Sequence, residues 1–297
     1  MEAFIRLNTS DATFEALDPQ LRERMLSSAA HLFSNELAAF AGYVPDGAPF
    51  NAFPHADAQG FRYGMGVAPF ARVGSSVIFD PNFTNITPSD HTSRAFNNGA
   101  RLTTNSWGAN VAGAYDAFSQ AYDALVRDAQ PAASVFPVAG NQEMVVFFSA
   151  GNAGPGANTI GSPGTAKNVV TVGAAEGPRP FGAPDQCGID NAGSDSFNDI
   201  IGFSSRSPAD DGRVKPDIVA PGTHVTGGVW QAAVVNPVSG TGLAGALYDG
   251  SGVCGGIGVA PGSRFYPPSQ QWYTSSSGTS HSTPMVAGGG ALVRQWF

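Results

Sequence analysis

The feature that most constrains the fold is a series of short apolar runs, each ending in small residues and glycine. MVVFFSAG at 144–151, VVTVGAA at 169–175 and DIVAPG at 217–222 offer almost no polar side to water. Strands apolar on both faces belong to parallel sheets covered above and below. ARVGSSVIFD at 71–80 reads as a further buried strand, and ARLTTNSWG at 100–108 is strand-like. Between these runs the period changes. HTSRAFNNGA at 91–100 predicts a short helix, and 112–130 an amphipathic one with Tyr115, Phe118, Tyr122, Leu125 and Val126 on one face. Another helix is expected over 19–41, with Pro19 in its first turn. Alternating strands and helices imply an α/β fold, a mainly parallel sheet flanked by helices. Ligands of such sheets bind beyond the carboxyl ends of the strands. The polar tails Asn105–Gly108 and Gly151-Asn152 fall there.

Composition narrows the partners. Of the 297 residues 42% are hydrophobic and 13% charged, which suits a folded domain with a sizeable core. The net charge is −8 and no run of Lys or Arg occurs, so the electrostatic footprint of a nucleic-acid binder is missing. No apolar stretch approaches the roughly 20 residues of a membrane span. The opening MEAFIRLNTSDATFEALD lacks the basic segment and apolar run of a signal peptide. Cys187 and Cys254 are too few for a zinc site; they are either one disulfide or two unpaired thiols. Residues 226–268, rich in Gly, Ser and Ala, read as a long loop or a small β-excursion. Gly240, Gly242 and Gly245 spell GxGxxG, but no acidic residue follows Asp249 to hold a ribose, which counts against a dinucleotide site.

Two motifs point to chemistry. In SSGTSHSTPMVAGGGALVRQWF, 276–297, Ser280 stands at the start of a helix pattern, with Pro284 expected in the first turn. A hydroxyl there feels the positive end of the helix dipole, beside main-chain N–H groups able to face an oxyanion. Ala287-Gly288-Gly289-Gly290 lets that helix run close to its neighbours. In FFSAGNAGPG, 147–156, Asn152 follows a buried strand and can donate to a tetrahedral oxyanion. Each has a plainer reading: a serine-capped buried helix, and an Asn in a glycine-rich turn. Ser106-Trp107-Gly108 is an extended strand end suited to pairing with a peptide backbone. In 203–225 no chemistry is found, and Asp217 is expected to be structural.

Together, GTSHSTPMVAG, SAGNAGPG, TNSWG and VKPDIVAPGT resemble subtilisin-like (S8) serine proteases in order and spacing. SPGTAKNVVTVGA and YGMGVAPFARVGSSVIFD extend the resemblance from about residue 60 to the end. It implies a three-layer subtilisin-like fold and a serine endopeptidase acting on polypeptides, usually secreted. Ser280 would be the nucleophile and Asn152 the oxyanion donor, with Ser106, Trp107, Gly108, Ala150 and Gly151 gripping the peptide. The chemistry needs no cofactor, and calcium, where family members hold it, is structural. The family's order is Asp, His, Ser. Its Asp-Thr-Gly and His-Gly-Thr motifs are missing here, and only His31 and His55 stand where the His belongs. Residues 1–42 therefore read as an atypical helical segment and 43–297 as a partial peptidase domain that stops inside the Ser280 helix. A serine without its base is a poor nucleophile. An active endopeptidase and a catalytically silent peptide-binding protein both stay open.

Overall fold

The structure, a computed structural model, describes residues 66–68, 71–76, 78, 87–177, 195–228, 264–265 and 273–297. The helix expected over 19–41, the GxGxxG run, both cysteines, His31 and His55 lie outside them.

Among the described residues four strands form one parallel sheet in chain order: β1 (Leu102–Asn105), β2 (Val145–Ser149), β3 (Val170–Ala175) and β4 (Ile218–Pro221). The register runs Thr104 to Phe147, Phe148 to Thr171 and Val172 to Ile218. A small antiparallel sheet joins β5 (Val225–Gly228), β6 (Arg264–Phe265) and β7 (Tyr273–Ser276) in the order β5-β7-β6, within the stretch read as a long loop or β-excursion and just beyond it.

Three helices accompany the sheets among the described residues: α1 (Pro88–Asn97), α2 (Ala117–Arg127) and α3 (Thr279–Trp296). Each of the first two starts where a side chain caps it. Thr87 Oγ1 accepts from Asp90 N at 3.2 Å and Pro88 opens α1, so this helix begins three residues before the apolar pattern suggests. Asp116 Oδ1 accepts from Ser119 N at 2.9 Å and sets the start of α2. The pattern read over 112–130 is trimmed to 117–127, because Ala112 and Gly113 both have positive φ. Of its expected apolar face only Tyr122 and Leu125 are buried; Phe118 and Tyr115 are exposed.

Side-chain alternation along β2 places the helices. Val146 and Phe148 join Tyr122 and Leu125 of α2 in one buried cluster, with Trp107 packed against it. Phe147 points the other way. It meets α3, where a methyl group on Gly290 would stand 2.8 Å from its ring. One helix on each face makes three layers, as expected. The strand expected at 71–80 is not formed by its described residues. Residues 71–76 carry no ladder and are at most half-buried, and Gly74-Ser75-Ser76 gives that stretch little side chain to pack.

Candidate active site

The carboxyl ends of β1 and β2 and the start of α3 meet at a cleft of about 400 Å³. Ser106, Trp107, Gly108, Gly151, Asn152 and Ser280 all line it, so the sequence motifs converge in space. Ala150 does not line it. Its side chain is buried, its N–H donates to Val172 O at 2.9 Å, and its carbonyl accepts from Gly161 N at 2.9 Å. Its N–H is thus engaged, while the carbonyl keeps a second lone pair.

The start of α3 is set by contacts with three separate segments. Gly278 precedes it at φ 153° and ψ 158°, a region essentially closed to residues with a Cβ. Gly278 N donates to Gly222 O just past β4, at 2.8 Å. Thr279 N and Thr279 Oγ1 both donate to Asn152 Oδ1 at 2.9 Å. A main-chain N–H can only donate, so the Asn152 atom facing it must be oxygen. The amide nitrogen of Asn152 is thereby turned away from Thr279, free to donate elsewhere. Asn152 thus caps α3 from another strand, for a helix whose own N-cap residue has no side chain. Ser280 sits in the first turn, where N–H groups lack a carbonyl four residues back inside the helix. Its Oγ lies 3.5 Å from Ser106 O. Pro284 falls in the second turn of α3, not the first as the sequence suggested.

The cleft walls are fastened by bonds that the motifs did not reveal. Ser205 N donates to Gly151 O at 2.9 Å, and Ser205 Oγ accepts from Ala153 N at 3.1 Å. Ala109 and Ser162 exchange both main-chain bonds at 2.9 Å, tying the Ser106–Gly108 wall to the segment after Gly161. Ser162 Oγ donates in turn to Asp116 Oδ1 at 2.6 Å. Burial pushes the Asp116 carboxyl up, but hydrogen bonds from Ser162 and Ser119 outweigh it and hold the group below the usual carboxylate range. The sequence signal for both was weak: Ser162 is one serine among many between a glycine and a proline, and Ser205 is one of three serines within 204–207. Asp217 is structural, as expected; its Oδ2 accepts from Lys215 Nζ and Thr171 N, both at 2.7 Å.

None of the described histidines lines the cleft. His281 is buried, and burial lowers its pKa to about 4, so it is neutral at pH 7. His224 is buried between β4 and β5 with φ 50°. His91 lies on α1, with its pKa lowered by burial. A carboxylate group elsewhere, Glu176, Asp195 and Asp199, brings ligand atoms within 4.8 Å of one another. It offers three of the six to eight oxygens that calcium takes. Glu176 Oε2 is already engaged by Asp195 N and Ser196 N at 3.1 Å.

A serine in the first turn of a helix shares a cleft with the strand-end asparagine that caps that helix, an arrangement suited to the class of serine hydrolases. The chain belongs to the subtilase family, peptidase S8, whose model matches residues 38–297. Pyrolysin of Pyrococcus furiosus is 42% identical over 87 residues, 27% of this chain and 6% of that protein. Serine protease AprX of Bacillus subtilis is 33% identical over 152 residues, 51% of this chain and 26% of the relative. The matches thus span about a quarter or less of these two relatives. Among solved structures, sphericase is 21% identical, covering 79% of this chain and 57% of that one with a TM-score of 0.41. The patellamide maturation protease PatA is also 21% identical, covering 78% and 61% with a TM-score of 0.43. Among the described residues no helix is long and apolar enough to cross a membrane.

Proposed function

We propose that this protein is a serine-type endopeptidase in which Ser280 is the nucleophile and Asn152 the oxyanion donor. One observation carries the reading: Ser280 and Asn152 line one cleft, with the amide oxygen of Asn152 anchored to the residue before Ser280. Ser280 Oγ attacks the carbonyl carbon of a peptide bond, and its proton passes to a base. The carbonyl oxygen gains the negative charge, and Asn152 Nδ2 and the Ser280 N–H donate to it. Fixed donors of this kind act without reorganising when the charge appears. Among the described lining residues none is a histidine or a carboxylate that would take this proton.

Ser106, Trp107, Gly108 and Gly151 grip the substrate backbone and the residue before the cut. Among the described residues every side chain lining the cleft is uncharged, which favours a neutral residue there. Trp107 is only partly available as an apolar wall. Its ring packs edge-on against Phe148 at 5.2 Å, and its N–H donates to Asn105 Oδ1 at 3.3 Å. As the resemblance implies, the substrates are polypeptides outside the cell.

The second reading, a peptide-binding protein without chemistry, is favoured by the lack of a histidine in the described lining. Reaction with a fluorophosphonate followed by peptide mapping separates the two. Label on Ser280, absent from Ser280→Ala, is expected for the enzyme. A folded wild-type protein that binds peptides yet takes up no label supports the silent reading.

A further inference from the structure

The helix that carries Ser280 disables one of its own hydrogen bonds. Pro284 lies four residues on and has no N–H to give to the Ser280 carbonyl. Another donor stands in its place: Ser106 Oγ, from the segment just after β1, donates to Ser280 O at 2.9 Å. The two serines touch in both directions, since Ser280 Oγ reaches toward Ser106 O at 3.5 Å. Both are half-buried at the cleft.

We infer that Ser106 is a positioning residue: its hydroxyl substitutes for the helix bond that Pro284 removes, and so fixes the backbone of residue 280 and the direction of its Oγ. This rests on the reading of Ser280 as the nucleophile and adds to Ser106 a role apart from gripping substrate. The chemistry is asymmetric. Without the Ser106 hydroxyl, water entering the cleft can satisfy the carbonyl, so the fold survives. Water does not hold a peptide plane to one orientation, so the reactive geometry loosens. Restoring an N–H at position 284 gives the carbonyl a helical donor again and makes Ser106 dispensable.

Four proteins test this: wild type, Ser106→Ala, Pro284→Ala and the double variant, with Ser106→Thr as the conservative control. The rate of fluorophosphonate labelling and the melting temperature are measured for each. A neutral hydrogen bond contributes about 0.5–1.5 kcal/mol net, so Ser106→Ala is expected to slow labelling by roughly three- to tenfold with Pro284 present. In the Pro284→Ala background the same change slows it by less than about twofold, and Ser106→Thr stays near wild type. Equal slowing in both backgrounds, or no slowing in either, overturns the inference. If wild type takes no label, the nucleophile reading fails by itself and the melting temperatures decide. A drop of about 2 °C with Pro284 present and under about 1 °C in the Pro284→Ala background supports the exchange of donors, and equal drops refute it.

Discussion

The first and last turns of α3 invert the usual rule of burial. At its start Thr279, Ser282 and Thr283 are polar and at most 1% exposed. At its end Leu292, Val293 and Trp296 are apolar and 45%, 59% and 85% exposed. Hydrophobicity therefore does not decide which end is held. Hydrogen bonds do. The start is fastened to Asn152, Gly222, Ser106 and Pro221, while the end makes no comparable contacts among the described residues. A buried polar group must be paired or it is costly. A turn built of such groups has one acceptable placement, which is what a reacting hydroxyl requires.

The contrast can be broken from several directions. Acid has the largest expected effect, at the first turn. His281 has a folded pKa of about 4 against 6.5 unfolded, so the unfolded chain binds more protons between those values. Stability is full above about pH 6.5 and falls as pH drops toward 4, by about 3 kcal/mol from His281. His91, also lowered, adds in the same direction. Urea melts at pH 7, 5.5 and 4 should show the fall, and a flat profile contradicts the buried placement of His281.

Next comes Gly222→Ala. A Cβ there would stand 2.4 Å from that of Ala174 and 2.6 Å from Ser282 Oγ. Overpacking of this kind costs about 1–3 kcal/mol, read as a lower urea midpoint at unchanged slope. Thr283→Val removes the bond from Thr283 Oγ1 to Thr279 O at 2.8 Å and should cost about 1 kcal/mol. At the other end, Trp296→Ser is expected to stay within about 0.5 kcal/mol of wild type. A loss of several kcal/mol there would mean that the last turn is packed after all, and the contrast would disappear.

Legibility in the sequence followed the same division. The strands of the parallel sheet were readable because continuous apolar runs such as VVFFS leave no other placement. The convergence of Ser280, Asn152 and Ser106 followed from those strands sharing one carboxyl edge. Helix starts were harder, because Thr87 and Asp116 set them through single side-chain bonds that no periodicity reports. The stretch at 71–76 misled because its apolar residues suggest a strand, while a ladder needs a partner edge that composition does not supply. Ala150 lies beside Gly151 in sequence, yet its side chain is buried away from the lining residues, a placement that adjacency does not report. Ser205 and Ser162 act through partners 52 and 46 residues away in sequence, a relation visible only in the fold.

Asn152 does two things at once in this account: its oxygen caps α3, and its nitrogen serves the oxyanion. Asn152→Asp separates them, since an aspartate still accepts from Thr279 N and Oγ1 but has no N–H to donate. Turnover of a peptide substrate is the measurement, taken beside the melting temperature. The expected result is a melting temperature within about 2 °C of wild type and a kcat lower by about a hundred- to a thousandfold, with KM little changed. A variant that keeps wild-type kcat would contradict the assignment of position 152, and with it the view that the serine and the amide act on one carbonyl.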